Sequence, residues 1–212
     1  MDTTRLLLAC LLLATAGDAG ADGLSYNYLE LAAGHQSRDD FDGYNSGRLT
    51  LDLALTDRVF IAGRFARSDY GNYRHGGYAP GLVQDNQSVS AGVHLPLAGS
   101  ADAVLRLGYL HANTTESGSR GGSSTGATYG AGMRWAVTPP LEVYAFYDRD
   151  NAEFDPTGLQ FTFGHLTPGV WENVLSTGVR WHVTQTAVLG ATFEFSSYAG
   201  DRRNLVTVGI FF

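Results

Sequence analysis

From residue 24 onward, apolar and polar residues alternate with a period of two. In "RLTLDLAL", Leu49, Leu51, Leu53 and Leu55 share one face, and Arg48, Thr50, Asp52 and Ala54 the other. "ATYGAGMRWAV" puts Ala127, Tyr129, Ala131, Met133, Trp135 and Val137 opposite Thr128, Gly130, Gly132, Arg134 and Ala136. "LSTGVRWHV" repeats the arrangement, with Leu175, Thr177, Val179, Trp181 and Val183 opposite Ser176, Gly178, Arg180 and His182. Side chains alternate across a strand, so each stretch is a ribbon with one apolar face and one polar or small face. Ten such ribbons are predicted, near 24–34, 46–55, 59–68, 87–97, 103–113, 126–137, 141–149, 172–183, 187–196 and 203–212.

The connections alternate in length. Those near 56–58, 98–102, 138–140 and 184–186 are short; those near 35–45, 69–86, 114–125, 150–171 and 197–202 are mostly longer, and rich in Gly, Asp, Asn, Ser and Tyr. The predicted fold is all-β: a closed antiparallel transmembrane β-barrel of ten strands, with eight as the alternative count. Short turns and both termini then lie on the periplasmic side, and the long loops outside. A soluble sandwich also alternates its faces, but it has no reason to gather its long loops at one end. A propeller would pack four strands into each repeat of this length, whereas each period here holds two.

Composition agrees with an exported β protein. Glycine is frequent at 27 residues, Tyr and Phe number 11 each, and all 14 basic residues are Arg. The N-terminus reads as a signal peptide over residues 1–21: Arg5, then "LLLACLLLATA" (Leu6 to Ala16), then small residues before a cleavage after about Ala21. The apolar stretch is too short for a membrane-spanning helix, and no run of about 18 apolar residues follows it. Residues 22–212 form the barrel domain. Cys10, the single cysteine, lies inside the leader, so the mature chain has no thiol for a disulfide or thiolate metal site. A net charge of -7 argues against nucleic acid as a partner.

"RNLVTVGIFF" closes the chain with Val206, Val208, Ile210 and Phe212 on one face. Barrel closure pairs the last strand with the first, and this terminal pattern resembles the sorting signal of outer-membrane barrels. "GLSYNYLE" (Gly23 to Glu30) resembles the start of small outer-membrane barrels of the xanthomonad type, an outer-membrane β-barrel domain family. The likeness runs as Gly- and aromatic-rich hairpins through residues 22–212 and departs in a longer fourth outer loop, Asp148 to Val170. The resemblance implies a ten-stranded barrel and carries over no catalytic residue.

Aligned on the short turns, Asp52, His94, Arg134 and Arg180 fall at one height on the polar face, and Glu30, Arg64, Arg106, Glu142 and Glu194 face the same way. Charge in a narrow lumen must be paired or wetted, so these residues are expected to form a network that fills the barrel; the alternative is a charged constriction selecting solutes. Trp135 and Trp181 fall on the outer face and are expected to be a membrane-interface girdle. Tyr70, Tyr73, Arg74, His75 and Tyr78 are loop candidates for a glycan or partner surface, and Asp39, Asp40 and Asp42 for bridging cations to lipopolysaccharide. Phe161 and Phe163 need cover in the fourth loop. His35, His75, His94, His111, His165 and His182 are the available bases, but no Gly-x-Ser-x-Gly elbow or lipid A deacylase pattern accompanies them. No catalytic residue, metal or cofactor is expected. The expected partners are outer-membrane lipid and lipopolysaccharide, and the barrel-assembly machinery through the C-terminal strand, with the chain a monomer. The expected function is that of a small integral outer-membrane protein, structural or surface-interacting through its outer loops. A passive narrow pore is the rival, and a lipid-modifying enzyme the less favoured third.

Overall fold

A computed structural model of the chain describes residues 24–38, 41–70, 82–97, 100–116, 122–154, 171–196 and 202–212. The signal peptide lies outside them, as do Asp39, Asp40, Tyr73, Arg74, His75, Tyr78, Phe161, Phe163 and His165. Ten strands form: β1 (Tyr28–Arg38), β2 (Phe41–Ala54), β3 (Val59–Tyr70), β4 (Leu82–Pro96), β5 (Ala101–Glu116), β6 (Gly122–Thr138), β7 (Leu141–Phe154), β8 (Trp171–His182), β9 (Ala187–Ser196) and β10 (Arg202–Phe211). Each pairs antiparallel with its sequence neighbours, and β1 also pairs with β10, closing the barrel. Closure leaves no strand edge unpaired, which a sheet in hydrocarbon requires. Among the described residues no helix is long and apolar enough to cross a membrane.

Inside and outside follow the parity of the sequence. Leu31, Leu105, Leu107, Met133, Val179 and Phe193 stand on the outer wall, while Glu30, Asp52, Arg134, Glu142, Arg180 and Glu194 are buried in the lumen. The short turns are closed locally. Thr56 Oγ1 accepts the N–H groups of Arg58 and Val59 at 3.2 and 3.0 Å, and Thr184 Oγ1 those of Thr186 and Ala187 at 3.2 and 2.8 Å. Such side-chain bonds mimic a backbone turn. Thr138 behaves differently: it ends β6 opposite Leu141, beyond a register shift at Ala136.

Glycines make room for rings on the next strand. Gly92 lies directly opposite Phe60, Gly132 opposite Phe146, and Gly178 opposite Tyr144. A Cβ at any of the three would collide with that ring. Each ring therefore lies flat over a bare backbone, which stiffens the glycine and fills the lumen.

The boundaries differ from the pattern in two ways. The long-loop ends of the strands run further than expected: β1 and β2 reach Arg38 and Phe41, and β4 to β7 run beyond the apolar band. Hairpin pairing continues past the point where the outer face turns polar, because backbone bonding does not depend on side-chain polarity. The expected first strand also began too early. Residues 24–27 are not strand; they turn into the lumen, where Leu24 and Tyr26 are buried. Alternation misled here because an inward-turned segment and an inward strand face bury the same residues.

Candidate functional site

The lumen is crossed by a continuous zipper of ion pairs. In barrel order its members are Arg134 on β6, Glu142 on β7, Arg180 on β8, Glu194 on β9, Arg203 on β10, Glu30 on β1 and Arg48 on β2. The sign of the charge alternates on every strand from β6 round to β2. Arg134 grips Glu142 with two bonds, Nε to Oε1 at 2.8 Å and Nη2 to Oε2 at 2.9 Å. Arg180 spans to both neighbours, with Nη1 to Glu142 Oε1 at 2.9 Å and Nε to Glu30 Oε2 at 2.8 Å. Arg48 lies 3.6 Å from Glu30 and hydrogen-bonds Glu194, which Arg203 approaches to 3.6 Å. The pairs Arg180–Glu30 and Arg48–Glu194 reach across the lumen; the others join adjacent strands.

Burial makes these pairs consequential. Arg134 is 2% exposed and Glu142 1%. An unpaired charge there would keep its full desolvation penalty, whereas a bidentate pair offsets it. Aromatic faces supply further support: the Arg180 guanidinium lies 4.7 Å from the Tyr28 ring and 4.5 Å from Tyr144, and Arg134 lies 4.4 Å from Tyr26.

The zipper is flanked by two smaller groups. At the short-turn end, Tyr26 O–H donates to Asp102 Oδ2 at 2.9 Å and its ring stacks on His94 at 4.0 Å. His94 Nδ1 lies 3.2 Å from the same Asp102 oxygen. Burial raises the pKa of the Tyr26 phenol above the ordinary tyrosine range, so it stays a donor. Arg134 Nη1 also donates to the Ser25 carbonyl at 2.9 Å. Leu24, Tyr26, Phe60, Ala62 and Val104 form an apolar floor beside this group. On the other flank, Arg106 is paired with Asp148. Both border a cavity of about 20 Å³ that Thr50, Asp52, Arg64 and Ser88 also line; that is room for about one water.

The residues read from sequence thus fall into groups. Glu30, Arg134, Glu142, Arg180 and Glu194 come together in the zipper; Asp52, Arg64 and Arg106 meet at the cavity; His94 lies with Asp102 and Tyr26. Asp52, besides lining the cavity, faces Arg134 and Arg180 around the Tyr28 ring, and Tyr26 lies between His94 and Arg134, so the four residues aligned on the turns stay in contact through two tyrosines. Asp148, expected to open the fourth outer loop, is a buried lumen residue of β7. Arg48, Asp102, Asp148, Arg203 and the three tyrosines Tyr26, Tyr28 and Tyr144 are functional neighbours that the spacing did not single out. Parity alone would have found Asp148, two residues beyond Phe146 on the same face.

On the outer wall Trp135 is 49% exposed and Trp181 57%. Val206, Val208 and Ile210 share that wall on β10, while Phe211 turns inward against Tyr28, with ring centroids 5.5 Å apart. The Phe212 N–H donates to the Asn27 carbonyl at 3.1 Å. Of the histidines, His182 lies 3.9 Å from Glu142 and stacks on Phe211, and His35 Nδ1 lies 3.3 Å from Asn45 Oδ1. Among the described residues no cluster of three potential metal ligands occurs.

A family model described as outer membrane protein β-barrel domain matches residues 6–182. No curated protein matches the chain in sequence. Among solved structures, an outer membrane channel from Pseudomonas putida F1 aligns with a TM-score of 0.51 at 12% identity, over 93% of this chain and all (100%) of that one. The NanC porin aligns at 0.49 and 9% identity over 87% and 98% of the two chains, and Neisserial surface protein A at 0.43 and 15% over 89% and 98%. At these identities the likeness is one of fold.

Glu142→Gln removes the acid shared by Arg134 and Arg180. It is expected to cost about 3–5 kcal/mol, as breaking a buried pair does, measured by urea titration of the barrel folded into lipid vesicles. A loss below about 1 kcal/mol, the worth of a surface pair, would show that water reaches the zipper.

Proposed function

This chain belongs to the outer membrane protein β-barrel domain family, and from that premise we propose that it is a closed integral barrel of the bacterial outer membrane. Its role is structural or surface-interacting through the outer loops, and it is not an enzyme. The observation that carries the reading is the zipper from Arg134 round to Arg48, whose side chains occupy the lumen and hold one another across it. On the zipper side a solute would have to part buried ion pairs to pass, and on the β3–β5 side the packed floor of Leu24 and Tyr26 stands in its way. The rival is a passive narrow pore with the zipper as its selective constriction. In planar bilayers the purified protein is expected to give no stable single-channel steps; stable steps that change when Arg134 or Arg180 is replaced would establish the pore instead.

The leader of residues 1–21 directs export and is removed after Ala21, so N-terminal sequencing of protein from outer membranes is expected to begin at Asp22. Sequence beginning at residue 1 would overturn this. The C-terminal face of Val206, Val208, Ile210 and Phe212 engages the barrel-assembly machinery, and the monomeric barrel is bathed in outer-membrane lipid and lipopolysaccharide.

Trp135 and Trp181 form the girdle at the periplasmic boundary, where an indole keeps its ring in apolar surroundings and its N–H near headgroups. In variants retaining one of these two as the sole tryptophan, lipids brominated along the acyl chain should quench both with the same depth profile. Different depths would separate the two and remove the girdle.

A further inference from the structure

The zipper leaves part of the wall uncovered. Its ion pairs run from β6 round to β2; β3, β4 and β5 contribute none of them, although Arg64 of β3 faces Glu194 and Arg106 of β5 pairs with Asp148. On that side the short-turn end is filled by the floor of Leu24, Tyr26, Phe60, Ala62 and Val104. Leu24 and Tyr26 do not belong to the barrel wall; they lie on the segment that precedes β1.

That segment is tied at its base by backbone and side-chain bonds, and beyond the base it is held by packing and two hydrogen bonds. Asn27 is tied to the wall twice, its side-chain oxygen accepting from Ala54 N–H at 2.8 Å and its carbonyl from Phe212 N–H at 3.1 Å. Beyond it, Tyr26 O–H bonds Asp102 and the Ser25 carbonyl accepts from Arg134. Withdrawal of Leu24–Tyr26 would break those two bonds, the stack on His94, the Arg134 contact with the Tyr26 ring and the packing on Phe60, Ala62 and Val104, and would break none of the zipper's ion pairs.

A small polar cavity stands behind it. Ala62 belongs to both the floor and the wall of the cavity that Thr50, Asp52, Arg64 and Ser88 line. Asp52 is buried; its carboxylate bonds Tyr28 and faces Arg106, Arg134 and Arg180, while its Oδ1 has no hydrogen-bond partner. A buried carboxylate oxygen in that condition calls for water or an ion.

We propose that Leu24–Tyr26 is a tethered plug, and that its withdrawal opens a path for small ions along the β3–β5 wall, past Asp52. This rests on the reading of the barrel as closed at rest. It adds that the closure is of two kinds: permanent where the zipper runs, and reversible where the chain's own N-terminal segment stands in.

The test is conductance of the mature protein in planar bilayers under a KCl gradient. Leu24→Ala/Tyr26→Ala, shown to be folded by heat-modifiable migration, is expected to give stable steps where the wild type is silent. Tyr26→Phe keeps the ring and is expected to stay silent. Adding Asp52→Asn to the open variant is expected to shift the reversal potential toward that of chloride. A folded double variant as silent as the wild type overturns the plug, and an unchanged reversal potential with Asp52→Asn overturns the route. Steps in the wild type overturn the closed-barrel reading, and steps of equal size in wild type and double variant overturn the plug as well. If the double variant does not fold, Tyr26→Ala alone is read in the same way.

Discussion

The cost of charge away from bulk water governs the interior of this barrel. A ten-stranded wall encloses a lumen too narrow to hydrate the seven charged side chains of the zipper independently, so each must be satisfied by another. Alternating Arg and Glu on successive strands, from Arg134 on β6 to Arg48 on β2, solves that problem with one geometry. Every acid in the zipper faces more than one guanidinium, which disperses its charge; Glu142 meets both Arg134 and Arg180. The planar, multi-donor guanidinium suits this sharing better than a lysine ammonium would. The two cross-lumen pairs, Arg180–Glu30 and Arg48–Glu194, also tie opposite walls together, so pairing and shape support each other.

The packing of rings follows from the same shortage of space. Phe60, Tyr144 and Phe146 lie over glycines on the neighbouring strand, and Tyr28 and Tyr144 present their faces to Arg180. A glycine opposite a ring is thus not a weak point in the sheet but the clearance the ring needs. Where the zipper's ion pairs stop, at β3 to β5, the wall carries small and hydroxyl side chains beside Arg64 and Arg106, and the interior is completed by Leu24 and Tyr26. Structural closure and the capacity to open therefore occupy different sectors of one lumen.

The sequence carried much of the fold openly. Period-two alternation is a local property, set by the geometry of an extended backbone, and it assigned Trp135 outward and Arg134 inward without reference to any other strand. It also made the ten strands countable and located the turns at Thr56 and Thr184. The repeated "GMRWAVT" and "GVRWHVT" belong to β6 and β8, whose arginines meet on Glu142 of the strand between them. That much was legible, because neighbouring strands in a meander are neighbours in sequence.

Partnership across the lumen was not. Which acid meets Arg48, which arginines face Asp52, and what Asp148 pairs with all depend on strand stagger, which only closure of β1 on β10 fixes. The inward turn of residues 24–27 was hidden for a related reason: Tyr26 is buried by contacts with β4, β5 and β6, none of which adjoins it in the chain. The sequence by itself determined the strands, their faces and the residue types that enter the lumen. Tertiary structure decided the pairing of those residues and the placement of the plug, because both are contacts between walls that face each other only once the sheet has closed.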